Sequence, residues 1–196
     1  MSMADYEEEL IHHPNSRVRT QRFIEQTQTA FNFCTSPAIE PNEDTVQEIA
    51  ALRRSTDFRC QSAPQLLDFT ETTVRPGMHE DCIVGGYLIF VLMTKTSGSR
   101  LPYDIFCKLS RAERDEFREA FRKALIEVWS CGIIPNDRAL RNIVWDQQER
   151  KCYIVDFEDS HLIDVEKEQP PGFTEIEFRR WNIDEERILK YEVCSE

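Results

Sequence analysis

Apolar residues recur at helical spacing from Phe117 through Phe121, Ala124 and Leu125 to Val128, the most regular stripe in the chain. Ser110-Arg-Ala-Glu113 precedes it, a pairing in which hydroxyl and carboxylate satisfy each other's backbone amides, and Gly132 follows as a terminator. A long helix is predicted between them. A shorter stripe of Val46, Ile49, Ala50 and Leu52 has Glu43, Asp44 and Glu48 early and Arg53-Arg54 at its end, as the helix dipole favours. It predicts a helix over 42–54. Upstream the pattern is polar and irregular, interrupted by Pro14, Pro37 and Pro41, with a short helix over 17–30 as the one expected element.

Strand patterns alternate with these helices. Residues 65–74 predict a strand, Arg75-Pro-Gly77 a turn, and the apolar run over 81–93 a second strand, together a hairpin. A small polar linker over 94–99 leads to Leu101-Pro102. After the long helix, apolar segments at 142–145 and 152–157 flank the polar turn Asp146-Gln-Gln-Glu-Arg150 and predict another hairpin. Beyond Pro170-Pro171-Gly172, a final helix is expected over 176–191. The chain divides into an irregular segment over 1–42, a core over 43–161 and a C-terminal tail over 162–196.

A chain of 196 residues with 40% hydrophobic content is expected to fold as one domain with a real core. Its net charge of −12 argues against nucleic acid as a partner, because phosphate backbones are held by Lys and Arg. The apolar run is far short of the roughly 20 residues that cross a bilayer, and Met-Ser-Met-Ala-Asp-Tyr-Glu-Glu-Glu lacks the start of a secretory signal. An intracellular protein with no membrane partner is expected. The seven cysteines (Cys34, Cys60, Cys82, Cys107, Cys131, Cys152, Cys194) are scattered without a CxxC pair, so they read as reduced, core-filling thiols. His12-His13 has no nearby Cys with which to hold a metal.

The chemistry-bearing residues follow the long helix. Asn142 lies five positions after Asp137 in a loop, and Asp156 ends the apolar strand Tyr153-Ile-Val155. Oxygen ligands in this order suit phosphoryl transfer from a nucleotide, with one Asp orienting an acceptor hydroxyl and the Asn and second Asp holding metal on the phosphates. A nucleotide entering so acidic a chain needs metal to screen it. Without metal, the apolar setting of Asp156 calls for a cation or donors, which Arg138 or Arg141 would supply as a structural salt bridge. Trp145, Phe157, Phe117 and Phe121 read as core, and Glu48 alone reads as an exposed helix position.

With helix, two strands, linker, long helix, Asp-x4-Asn loop, hairpin and Asp156-Phe157-Glu158 in this order, the chain resembles the protein-kinase-like superfamily. It is similar to the aminoglycoside and choline phosphotransferase-like branch, where the metal-binding Asp is followed by an aromatic residue and Glu, and to uncharacterised fungal kinase-like proteins. The resemblance implies an α+β, protein-kinase-like fold with truncated N-lobe and C-lobe, hinge, long helix, catalytic-loop-like turn and β-hairpin. It implies magnesium and ATP as cofactors, with Asp137 as the catalytic base and Asn142 and Asp156 as metal ligands. Glu48 would lie on the helix facing the nucleotide lysine, and Phe90, Met93 and Lys95 in the hinge beside adenine. The partner would be a hydroxyl acceptor, small molecule or protein.

Departures from that pattern lie in the nucleotide-covering half. No glycine precedes Gly77 and no lysine precedes Lys95, so a phosphate-cradling loop and the strand lysine are both missing from the sequence. Pro135 stands where a histidine is expected two residues before the catalytic Asp. Arg17, Arg19 and Arg22 are the arginines that would replace the lysine. Weak phosphotransfer or none is expected, the second case being a non-catalytic pseudokinase that serves as an interaction or regulatory module.

Overall fold

The computed structural model describes residues 16–22, 40–77 and 84–188. The expected helical residues 23–30, the strand start at 81–83, the helix end at 189–191, Cys34, Cys82, Cys194 and His12-His13 lie outside them. The fold is of the α+β class: a three-stranded antiparallel sheet and a helix precede a second part built on one long helix with short strand pairs.

The first sheet has the order β1 (Ser16–Arg22), β3 (Tyr87–Thr94), β2 (Leu66–Thr73), with β3 antiparallel to both neighbours. Residues 16–22 therefore form a strand and not the start of the expected helix. The reason is tertiary: β3 is buried almost throughout, and each of its edges needs a strand to satisfy its backbone groups. Its continuous apolar run, Tyr-Leu-Ile-Phe-Val-Leu-Met, is that of a central strand covered on both faces. On the other side, β2 is a half-exposed edge strand.

Helix α1 (Glu43–Asp57) starts where Asn42 Oδ1 accepts from Thr45 N at 2.9 Å, with Glu43 and Asp44 in its first turn. Its inner face is Thr45, Glu48, Ala51, Leu52 and Ser55, set at helical spacing, and it packs against β2 and against the short strands β5 (Ile133–Pro135) and β8 (Ser160–Leu162). Glu48 is thus buried, against the exposed position expected of it on its own.

The centre of the second part is α3 (Arg111–Ser130), preceded by the short helix α2 (Tyr103–Lys108), which the sequence pattern did not predict. The capping box forms: Ser110 Oγ accepts from Glu113 N at 3.3 Å, and Glu113 Oε2 accepts from Ser110 N at 2.8 Å. Phe117, Phe121, Leu125 and Val128 are fully buried, each aromatic side chain adding about 2–3 kcal/mol of apolar burial. Gly132 ends the helix at φ +77°, and a Cβ there would lie 2.6 Å from Ile163 O. Glycine is what allows the chain to turn directly into β5 (Ile133–Pro135), which pairs antiparallel with β8 (Ser160–Leu162).

The predicted hairpin is β6 (Ile143–Asp146) with β7 (Lys151–Ile154), joined on the β6 side by β4 (Ser99–Arg100). The expected terminal helix is broken: α4 (Ile176–Arg180) ends, and helical residues resume at 185–188. Trp181 and Ile183 are both fully buried, yet residues two apart on a helix point to nearly opposite sides. The turn between them, with Asn182 at φ +61°, lets both enter the core, and Trp181 packs 5.2 Å from the Phe121 ring. Cys60, Cys107, Cys131 and Cys152 are buried and in no disulfide, as expected of core-filling thiols. Among the described residues no helix is long and apolar enough to cross a membrane.

Candidate active site

Two loops meet beside the β5–β8 pair. The Pro135↔Ser160 register brings Asn136 against Asp159, and Asp159 O accepts from Asn136 N at 2.9 Å. Side chains repeat the join: Asn136 Nδ2 donates to Asp159 Oδ1 at 3.0 Å, and Asn136 Oδ1 lies 3.2 Å from His161 Nδ1. The loop carrying Asp137 is thereby tied to the loop carrying Asp156.

Within the first loop, a 3-10 turn (Leu140–Asn142) folds Asn142 back onto Asp137. Asn142 Nδ2 donates to Asp137 O at 3.0 Å and to Asp137 Oδ2 at 2.9 Å. Asn142 O accepts from Val155 N at 2.9 Å, which places the residue before Asp156 directly against it. Asp137 and Asn142 are therefore in contact, and Asp156 is joined to them through one backbone bond. Strand β7 ends at Ile154, three residues short of the predicted end, because Asp156 takes φ +72°. This left-handed backbone at a non-glycine residue costs on the order of 1 kcal/mol and is held by its surroundings. Those surroundings include Phe157, whose ring is fully buried and whose backbone carbonyl accepts from Ser160 Oγ at 2.8 Å.

The cations are distributed differently from the sequence expectation. Arg141 Nη2 donates to both Asp137 oxygens, at 2.8 and 2.7 Å. Arg138 turns away, donating to Pro135 O at 3.3 Å and lying 3.7 Å from Glu177 Oε2. A guanidinium beside Asp156 belongs to Arg100 on β4, whose Nη2 is 4.0 Å from Asp156 Oδ2. Neither Arg138 nor Arg141 takes that role. The i,i+4 spacing of Asp137 and Arg141 was a usable signal for their pairing. Nothing local in the sequence links residue 100 to residue 156; β4 pairing with β6 does so.

Asn142 is 1% exposed, and its Oδ1 has no hydrogen-bond partner among the described residues. A buried acceptor without a donor carries a desolvation cost, about 1–3 kcal/mol, that a cation or an N–H would relieve. Hard oxygen donors from Asn142 and Asp156 suit magnesium, which is held by one or two carboxylates together with phosphates and waters. Among the described residues no group of three or more His, Cys, Asp or Glu side chains is arranged to hold a metal ion. Any magnesium here would therefore depend on the amide and on the nucleotide's own phosphates.

The remaining site expectations fall elsewhere. Phe90 and Met93 lie inside β3 and not in the link that follows it, and strand alternation gives them opposite faces of the sheet. Lys95 is exposed at the start of that link. Glu48 is on the inner face of α1, buried as a residue with a structural or binding partner would be.

No protein-family model and no curated protein matches the sequence. Among solved structures the chain is similar to PK-1, a kinase of Cydia pomonella granulovirus, with a TM-score of 0.44 and 14% identity over 84% of this chain. The match covers 48% of the viral protein, so the chain spans about half of its length.

Proposed function

We propose that the chain is a kinase-like domain with a magnesium-nucleotide site at Asp137, Asn142 and Asp156, and with weak phosphotransfer or none. The observation that carries this reading is the buried, donorless Asn142 Oδ1, fixed between Asp137 and the strained Asp156 backbone. In this reading magnesium supplies positive charge to the phosphates, held by Asn142 Oδ1 and the Asp156 carboxylate. Asp137 orients an acceptor hydroxyl and receives its proton as the hydroxyl oxygen bonds to the γ-phosphorus and the bond to the ADP oxygen breaks. Calorimetric titration with Mg-ATP tests the site. Binding that is lost in Asp156→Ala and Asn142→Ala supports it, and absent binding, or binding unchanged in both variants, removes it.

The second reading is a pseudokinase that binds a partner without chemistry. A specific observation favours it: Arg141 engages both oxygens of Asp137, so the acceptor-orienting carboxylate is already neutralised. The sequence also has no lysine before Lys95 to grip the phosphates. A phosphotransfer screen with small hydroxyl acceptors and protein substrates distinguishes the two, since turnover abolished by Asp137→Ala overturns the pseudokinase reading.

A further inference from the structure

We propose that Cys60 and Cys131 form a reversible disulfide on exposure to hydrogen peroxide, a covalent staple between the ends of α1 and α3. Cys60 lies in the turn after α1, where its N donates to Ser55 O at 2.9 Å. Cys131 closes α3, its N donating to Glu127 O at 3.1 Å. The Glu127 carboxylate joins the two turns, since Oε1 accepts from Gln61 N at 2.7 Å and Oε2 accepts from Ser62 Oγ. The residue after Cys60 is thereby fixed to the residue one helical turn before Cys131. Between these anchors the two thiols are in side-chain hydrogen-bond contact. From contact, side-chain rotation brings the sulfurs toward the roughly 2.05 Å of a disulfide.

Both cysteines are buried, yet Arg59, Gln61 and Ser130 beside them are exposed, so each lies one residue beneath the surface. Arg59 takes φ +53°, a strained left-handed backbone that favours local opening of the turn and gives a small oxidant its route. The two thiols are also unequal. Donation from the Cys131 S–H, then from the Ser62 N–H, holds Cys60 below its usual value against burial and the Glu127 charge. The same thiol–thiol bond, with burial, pushes Cys131 up.

Cys60 is therefore the nucleophile. Its thiolate attacks one peroxide oxygen, the O–O bond breaks, and the departing hydroxide takes up the proton that Cys60 released. Cys60 is left as a sulfenic acid. The Cys131 sulfur then attacks the Cys60 sulfur and expels hydroxide, which leaves with the Cys131 proton as a second water. Two electrons pass from the thiols to peroxide. Cys152 offers a contrast, because its Sγ donates to Phe117 O at 3.8 Å and burial pushes its pKa up, so it stays an inert core thiol.

The test is a peptide map by mass spectrometry of the full chain, treated with hydrogen peroxide, alkylated and digested without reductant. A peptide cross-linked between Cys60 and Cys131 is expected, and dithiothreitol should abolish it. The bond closes a loop of about 70 residues, so the melting temperature is expected to rise by about 5–10 °C and to fall back on reduction. Cys60→Ser and Cys131→Ser should each remove both the cross-link and the rise. Peroxide treatment that leaves both thiols free to alkylate, that cross-links other cysteines in their place, or that carries Cys60 to a sulfinic acid beside a free Cys131 overturns the proposal. These outcomes are read on the wild-type chain and hold whether or not a serine variant folds.

Discussion

Two clusters of arginine and carboxylate stand on opposite footings in this molecule. In the first, Arg114 and Arg118 of α3 grip Glu185, each with an Nη2 at 2.6 Å from one of its oxygens. Their other donors are also used: Arg114 Nη1 bonds Leu109 O at 2.6 Å, and Arg118 Nε bonds Ile183 O at 2.7 Å. Both guanidiniums are buried, and the cluster fastens the C-terminal segment to the long helix. In the second, around Asp137 and Asp156, the arginines are exposed, one ion pair is loose, a buried amide oxygen lacks a donor and one backbone angle is strained. A closed cluster serves stability. An open one, carrying unspent donors and acceptors at a structural cost, is where a ligand is to be sought.

The contrast breaks most readily in the closed cluster. Arg118→Ala leaves Glu185 with half its partners and orphans Ile183 O, so urea unfolding should show a loss of about 3 kcal/mol with ATP binding intact. A loss under 1 kcal/mol would show that the closed cluster is not structural. In the open cluster, Asn142→Ala should cost only about 1 kcal/mol, because two Nδ2 bonds are lost while an unsatisfied oxygen is removed. Its nucleotide affinity should nevertheless fall sharply by calorimetry. Asp156→Gly should change stability by less than about 1 kcal/mol, since glycine relieves the positive φ while the carboxylate's interactions, that with Arg100 among them, are lost. A much larger loss would mean that the carboxylate's partners hold this loop more firmly than its backbone strain loosens it.

The smallest effect is expected from pH. Hydrogen bonds from Arg114 and then Arg118 hold the Glu185 carboxyl below its usual value of 4.5. With the folded value depressed, the stabilisation is fully present above the unfolded value and is lost as pH falls through the folded one. Denaturation midpoints measured downward from pH 5 should therefore fall, and the Glu185 share of that slope should vanish in Glu185→Gln.

Much of the local structure was legible because it rests on short-range chemistry. The Ser110–Glu113 box, the α3 stripe and the β6–β7 hairpin each lie within one window of the chain, and each formed, the hairpin with a second strand shorter than its apolar run. The Asp137–Asn142 contact was legible for the same reason: a turn of a few residues makes it. What escaped the sequence was set at long range. Strand β1 exists because β3 has an edge to fill, the break at Asn182 exists because Trp181 and Ile183 share one core, and Arg100 meets Asp156 through strand pairing. Glu48 escaped too, since an acidic residue on a helix face gives no sign of its own burial.

Gly98 makes the last of these long-range contacts depend on a missing methyl group. It sits at φ +86° just before β4, and a Cβ there would collide with the Trp145 carbonyl and lie 2.7 Å from Asp146 N. Any side chain at 98 would lever β4 off β6 and carry Arg100 away with it. The electrical setting of Asp156 is thus governed mechanically, by the clearance between two backbones, and a substitution at 98 would act as a remote mutation of residue 100.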